Sequence, residues 1–237
     1  MSVYVYAITN DSHPLDLSDV KGVGEPPGEV RVVRGDSLCA VVSEAPDDLS
    51  VARRDLQAHN DVQERLWADG ATLPLSFGFV AADEEAVRGV LEERAQLFAQ
   101  RLDELAGHAE FNVKGVLDED TSLRAVLEQS PQVRELNERT REGGGTYEDR
   151  LALGQVVAQE VQGRENAIAE DILAALRPLA SAEQIAPASK QYFVSASFLV
   201  ADEQFEEFGR TCRELAERYG EGMELRLRGP LPPYSFV

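Results

Sequence analysis

Residues 2–9 read SVYVYAIT, and this stretch decides the fold of the first half of the chain. Val, Tyr and Ile are favoured in strands, and the run ends at Asn10-Asp11, a pair typical of turns. Two further apolar runs, EVRVVR at 29–34 and SLCAVVSE at 37–44, flank Gly35-Asp36. Two such runs joined by a short turn containing glycine indicate an antiparallel hairpin. The sequence therefore predicts a sheet of three strands before the first helix.

Helical periodicity follows this sheet. Ser50 is positioned to cap the first turn of a helix that ends at Gly70, since a side-chain oxygen there can accept an orphan amide. LPLSFGFV at 73–80 predicts a short strand with Leu75, Phe77 and Phe79 on one face. A longer apolar stripe then predicts one helix from Asp83 to Gly107.

The second half of the chain repeats the alternation of strands and helices. EFNVKGVLDE, KQYFVSASFLV and MELRLRG are the predicted strands, with Met223, Leu225 and Leu227 facing inward in the last. The longest predicted helix runs from Tyr147 to about Leu176. This order is typical of ferredoxin-like α+β folds. We expect two α/β domains, residues 1–107 and 108–237, each a small mixed or antiparallel sheet packed with helices.

The charge balance narrows the classes of partner. The chain has 23 basic and 43 acidic residues, a net charge of −20, which disfavours nucleic acids and anionic membranes. No 18 consecutive apolar residues occur, so no transmembrane helix is predicted. The N-terminus lacks the basic segment of a secretory signal, and Cys39 and Cys212 lie far apart. We therefore expect a cytoplasmic protein.

The sequence offers little material for catalysis. His59 lies near Asp55 and Asp61 on a predicted helix, so a general base oriented by a carboxylate, as in a hydrolase, is one hypothesis. The alternative is a histidine that packs on the buried face of the helix. No spacing of ligands indicates a metal or cofactor site. A module that senses a small molecule is a further alternative, because ferredoxin-like sheets often bind effectors.

The C-terminal segment GPLPPYSFV, residues 229–237, is the most unusual part of the sequence. Three prolines remove three amide donors, so the segment is neither an internal strand nor a helix. Leu231, Tyr234 and Phe236 nevertheless make it apolar, and a free tail would expose them to water. We expect the tail to dock on the chain itself, or alternatively on a partner.

With this tail, the chain resembles the gas vesicle protein GvpF/GvpL family. The resemblance rests on VYVYAIT, on LPLSFGFV followed by ADEEAV, on EFNVKGVLDE and on GPLPPYSFV, in this order along nearly the whole chain. Two positions depart from the usual pattern of the family: Leu231 stands where Trp is usual, and Ser76 where Arg is frequent.

The resemblance implies an accessory protein of gas vesicle biogenesis, not an enzyme, that associates with growing vesicles and has no cofactor. The implied partners are the hydrophobic shell protein GvpA and other accessory Gvp proteins. An acidic body with a few aromatic docking residues suits that role, because it can contact apolar surface and stay dissolved. The candidate partner or interdomain contacts are Phe77, Phe79, Leu231, Tyr234 and Phe236. Alternatively these side chains are core, and a helix face forms the interface.

Overall fold

The computed structural model describes residues 1–49, 51–220 and 222–237. It contains two compact units, residues 1–110 together with 229–237, and residues 111–228. These units divide the chain differently from the predicted domains, because the last nine residues group with the first unit. The boundary between residues 107 and 108 stays a prediction.

The first unit is built around the strand that opens the chain. β1 is almost wholly buried and lies between β3 on one side and β4 and β5 on the other, in the sheet order β2-β3-β1-β4. All of these pairings are antiparallel, and β2 and β3 form the predicted hairpin. The strands are β1 (Val3–Asn10), β2 (Arg31–Arg34), β3 (Leu38–Glu44), β4 (Leu73–Pro74) and β5 (Val80–Ala81).

Three helices complete this unit: α1 (Arg53–Asp69), α2 (Glu84–Glu93) and α3 (Ala95–Leu105). Ser50, the predicted cap of α1, lies outside the described residues. Asp83 caps α2 as its position suggests, with its side chain accepting a hydrogen bond from the backbone N–H of Ala86. The single helix predicted up to Gly107 is wrong, because the backbone leaves helical geometry at Arg94 (φ −111°, ψ 18°). No glycine or proline marks that break in the sequence.

The predicted strand LPLSFGFV is also interrupted. Only its ends are extended, as β4 and the start of β5, and a turn between them includes Gly78 at φ +92°. A left-handed residue of this kind redirects the chain, so side chains two apart no longer share a face. Phe77 is half-buried, whereas Phe79 is 52% exposed.

The second unit has the βαββαβ order of a ferredoxin-like fold, with α4, α5 and α6 in the first crossover and α7 in the second. The sheet order is β7-β8-β6-β9. Its strands are β6 (His108–Leu117), β7 (Ala182–Ile185), β8 (Val194–Ala201) and β9 (Met223–Leu231). Its helices are α4 (Glu119–Gln129), α5 (Pro131–Thr140), α6 (Tyr147–Leu176) and α7 (Phe205–Tyr219). The start of β6 and the end of β9 fall within the first unit.

The long helix α6 agrees with its predicted bounds. Thr146 and Asp149 form a reciprocal capping box at its start. None of the helices in the described part of the chain combines the length and apolar character that crossing a bilayer requires.

The last strand differs from its predicted pattern. Met223 is buried, but Leu227 is 38% exposed, so the predicted inward position of Leu227 is wrong. The strand continues through Pro230, which is tolerated because β9 lies at the edge of the sheet.

Candidate partner-binding site

The first unit contains a short apolar loop, residues 75–80, which we call the Phe79 loop. Two adjacent apolar side chains of this loop face solvent: Phe79 is 52% exposed and Val80 is 44% exposed. The other large side chains of the loop, Leu75 and Phe77, are half-buried. The loop thus presents one aromatic and one branched side chain on an otherwise acidic protein.

The backbone of the Phe79 loop is fixed to the central strand at both ends. The Leu75 N–H donates to the Tyr6 carbonyl at 2.8 Å, and the Val5 N–H donates to the Phe79 carbonyl at 3.0 Å. Within the loop, the Phe79 N–H donates to the carbonyl of Ser76 at 3.3 Å. These bonds fix the backbone from which the exposed side chains project.

A buried tyrosine and histidine support the middle of the loop. The Gly78 N–H donates to the Tyr4 hydroxyl at 3.0 Å, and that hydroxyl lies 2.9 Å from His59 Nδ1. Gln63 Nε2 lies 3.5 Å from His59 Nε2, so both ring nitrogens of His59 face a polar side chain. Burial lowers the pKa of His59 to about 4 and raises the pKa of Tyr4 to about 12.

Phe77 contributes to the same support. Its ring lies edge-on to the rings of Tyr4, at 6.0 Å between centroids, and of His59, at 5.7 Å. Edge-to-face pairs of this kind stabilise packing beyond the area that they bury. Of the two phenylalanines predicted as contacts, Phe77 therefore packs inside the loop and Phe79 points outward.

Among the described residues, no carboxylate pairs with His59. Asp55 accepts hydrogen bonds from the Gly24 N–H at 3.0 Å and from Arg54 Nε at 3.3 Å, while His59 bonds to Tyr4. His59 is only 3% exposed. The hypothesis of a general base oriented by Asp55 is therefore not supported, and a packed histidine on the buried face of α1 describes the environment of His59.

The C-terminal tail is docked within the first unit. Phe236 is buried, Leu231 is half-buried, and Tyr234 is 36% exposed. The buried Glu110 carboxylate accepts the Ser235 N–H and the Ser235 hydroxyl, each at 2.7 Å. The role of Glu110 could not be predicted from the sequence. The residues next to it do not distinguish a glutamate that binds a distant segment from one that faces water.

A cavity of about 640 Å³ lies beside residues 23–28 at the start of α1. Its charged lining consists of Arg54 and five carboxylates, Glu25, Glu44, Asp47, Asp48 and Asp55. Such a lining disfavours the phosphorylated and carboxylated metabolites that regulatory modules commonly sense. Among the described residues, no group of three or more His, Cys, Asp or Glu is arranged to hold a metal ion.

Comparison with known proteins adds the family. A sequence profile described as gas vesicle synthesis protein GvpL/GvpF matches residues 2–237. The chain belongs to the GvpL/GvpF family. Gas vesicle protein F of Streptomyces sp. (strain CB03234) is 42% identical over 238 residues, which cover 100% of both chains. Gas vesicle protein L1 of Halobacterium salinarum is 25% identical, with 99% of this chain and 89% of that protein covered.

Solved structures of GvpF proteins share the fold. The crystal structure of GvpF from Anabaena sp. PCC7120 matches with a TM-score of 0.85 at 23% identity, covering 99% of this chain and 97% of that one. GvpF from Microcystis aeruginosa matches with a TM-score of 0.81 at 22% identity, covering 99% and 98%. The predicted α+β fold class and the resemblance to the GvpF/GvpL family are both confirmed.

Proposed function

We propose that this GvpL/GvpF protein is a cytoplasmic assembly factor that binds the gas vesicle shell protein GvpA, together with other accessory Gvp proteins, at growing vesicles. The single observation that carries the proposal is the Phe79 loop, where two neighbouring apolar side chains are exposed on a backbone already fixed by hydrogen bonds. Membership of a family described as gas vesicle synthesis proteins supplies the biological setting.

The physical argument starts from the shell subunit, which buries apolar surface against its neighbours and would aggregate before assembly. A partner that covers this surface must offer apolar contact and yet stay dissolved. A net charge of −20 keeps the scaffold apart from copies of itself. A few aromatic anchors can then supply most of the contact energy, as hot spots do in other interfaces.

The structure ranks the five candidate contacts by access. Phe79 is the most exposed of them, and Tyr234 follows at 36%. Phe77, Leu231 and Phe236 are half-buried or buried, so they support these positions from inside the unit. We therefore assign the first contact with GvpA to Phe79 and its neighbour Val80.

The test is capture of GvpA by the affinity-tagged full chain when both are co-expressed. The double variant Phe79→Ser, Val80→Ser should retain about a tenth or less of the GvpA captured by the unchanged chain, because both anchors of the contact are removed. Circular dichroism and thermal unfolding of each purified variant first establish that it is folded.

A matched control is available in the same unit. Val90 and Leu97 are 45% and 59% exposed, close to the values of Val80 and Phe79, but they lie on α2 and α3. The double variant Val90→Ser, Leu97→Ser should capture GvpA at the unchanged level. Equal capture by both double variants would remove the Phe79 loop from the interface, and loss of capture by both would show a general effect of exposed apolar area.

A further inference from the structure

A second candidate surface, of mixed apolar and polar character, lies in the other compact unit. A groove of about 520 Å³ runs between the first half of α6 and the start of α4. Its lining on α6 comes from one face of the helix, at the spacing of three and four residues that a single face requires: Gly154, Val157, Ala158, Val161, Gln162 and Glu165. Leu117 and Leu123 line the facing side. The α6 face extends over three turns, about 16 Å at the standard rise.

Several small or apolar residues in the first half of α6 are exposed or only half-buried. Val157 and Val161 are half-buried, and Gly154 and Ala158 are exposed. A Cβ built on Gly154 would meet nothing within 4 Å, so the groove is open at that end. The groove thus combines apolar side chains with polar ones, as a surface that receives an amphipathic helix does.

The charged residues around the groove indicate which kind of partner it attracts. Glu119 and Glu165 line it together with Lys190, and neither Glu119 nor Lys190 forms an ion pair with any described residue. Residues 118–166, which build the surrounding surface, carry eleven acidic and six basic side chains. A second copy of so acidic a chain would be repelled, whereas a helix with basic residues beside its apolar stripe would be attracted.

We propose that this groove binds an amphipathic helix of another protein, with the apolar stripe of that helix between α4 and α6 and its basic residues opposite Glu119 and Glu165. The site is separate from the Phe79 loop, and it would give the chain a second contact for a different partner segment. Apolar side chains fill the groove at positions i, i+3 or i+4, and i+7, as in other complexes of a helix in a groove.

The probe is a fluorescein-labelled peptide of about 18 residues made of leucine and lysine, with the leucines at helical spacing. Its binding to the full chain is measured by fluorescence anisotropy at about 150 mM salt, where long-range attraction is screened. Two comparison peptides are used: one replaces lysine with glutamate, and one keeps the composition but scrambles the spacing. We expect the amphipathic lysine peptide to bind at least about tenfold more tightly than either.

The two exposed glycines of α6 provide a matched pair of variants. Gly154→Leu fills the open end of the groove and should weaken binding of the lysine peptide about tenfold. Gly163 also has nothing within 4 Å of a built Cβ, but it lies nine residues further on and so about 180° around the helix. Gly163→Leu should bind as the unchanged chain does. Both substitutions replace glycine in a helix interior, so neither should impair folding.

Each outcome decides the proposal. Weaker binding by Gly154→Leu alone supports it, and the double variant Glu119→Gln, Glu165→Gln should then bind more weakly and with less dependence on salt. Equal binding by both glycine variants, or by the scrambled peptide, would show non-specific attraction to an acidic protein and would overturn the proposal. A dimer in solution that Gly154→Leu converts to a monomer would also overturn it, because a second copy would then occupy the groove. Since the Phe79 loop is untouched in these variants, capture of GvpA tests the other site separately.

Discussion

Acidification should destabilise this protein through His59 before most carboxylates titrate. His59 is 3% exposed and is surrounded by Tyr4, Tyr6, Phe77 and Gln63, and no carboxylate in the described part of the chain is bonded to its ring. The perturbation is a change from pH 7 to pH 5, applied to the unchanged chain and to the variant His59→Gln. We expect the unchanged chain to lose more of its free energy of unfolding than the variant does.

The magnitude follows from the pKa of His59. Burial lowers this pKa from 6.5 to about 4, so the unfolded chain takes up a proton first as the pH falls. Stability due to the neutral ring is therefore complete above pH 6.5 and is lost progressively towards pH 4. Linkage between these two pKa values gives a loss of about 2 kcal/mol between pH 7 and pH 5 from this residue alone.

The assay is urea denaturation at the two pH values, with the free energy of unfolding extrapolated to water. Burial also lowers the pKa of His13, which adds a loss of the same sign in both proteins. The difference between the unchanged chain and His59→Gln removes that contribution. An NMR titration of the His59 ring gives an independent reading. An unchanged pH dependence in the variant, or a ring that titrates near pH 6.5, would refute the reasoning.

Two further predictions concern packing and the tail. Glu110→Gln should lower the free energy of unfolding by about 2 kcal/mol, because one donor of Ser235 loses its charged acceptor. An unchanged melting temperature would show that this contact contributes little to stability. Gly115→Ala should lower the free energy of unfolding by about 1–3 kcal/mol, since its Cβ would lie 2.6 Å from the buried side chains of Phe193 and Val194. Gly154→Ala should raise the free energy of unfolding by about 0.5–1 kcal/mol, because nothing lies within 4 Å of its Cβ. Equal denaturation midpoints for the two variants would contradict both expectations.

The elements predicted correctly are those whose signals are local. α6 has a capping residue at Thr146, a sustained stripe and Pro178 just beyond its end, so its bounds could be taken from the sequence. β1 is a run of β-branched and aromatic residues that is buried on both faces. In both cases the pattern and the packing favour the same structure.

The elements that were missed lack such signals. β7 is the short polar segment AEQI at the edge of its sheet, without the alternation that marks a half-buried strand. The break at Arg94 falls inside a continuous apolar stripe. The opposite directions of Phe77 and Phe79 depend on the left-handed Gly78, and the partners of His59 and Glu110 come from residues distant in sequence. Periodicity carries no information about contacts of that range.

Under the proposed function, the anchoring of the Phe79 loop lowers the free-energy cost of binding a partner. Ordering a flexible loop on binding costs about 1–2 kcal/mol for each residue fixed, and here bonds to Val5, Tyr6 and Tyr4 have already fixed the backbone. More of the free energy of burying Phe79 is then available as affinity.

Two variants separate the effect of the fixed backbone from the effect of the Phe79 side chain. Tyr4→Phe removes the hydroxyl that joins Gly78 to His59, which should lower the free energy of unfolding by about 1–3 kcal/mol. It should also speed hydrogen exchange at Gly78 and reduce capture of GvpA, although Phe79 is intact. Phe79→Ser, by contrast, should reduce capture without lowering stability, because its ring is half in water. If Tyr4→Phe speeds exchange and still captures GvpA fully, a rigid loop is not what makes the contact strong.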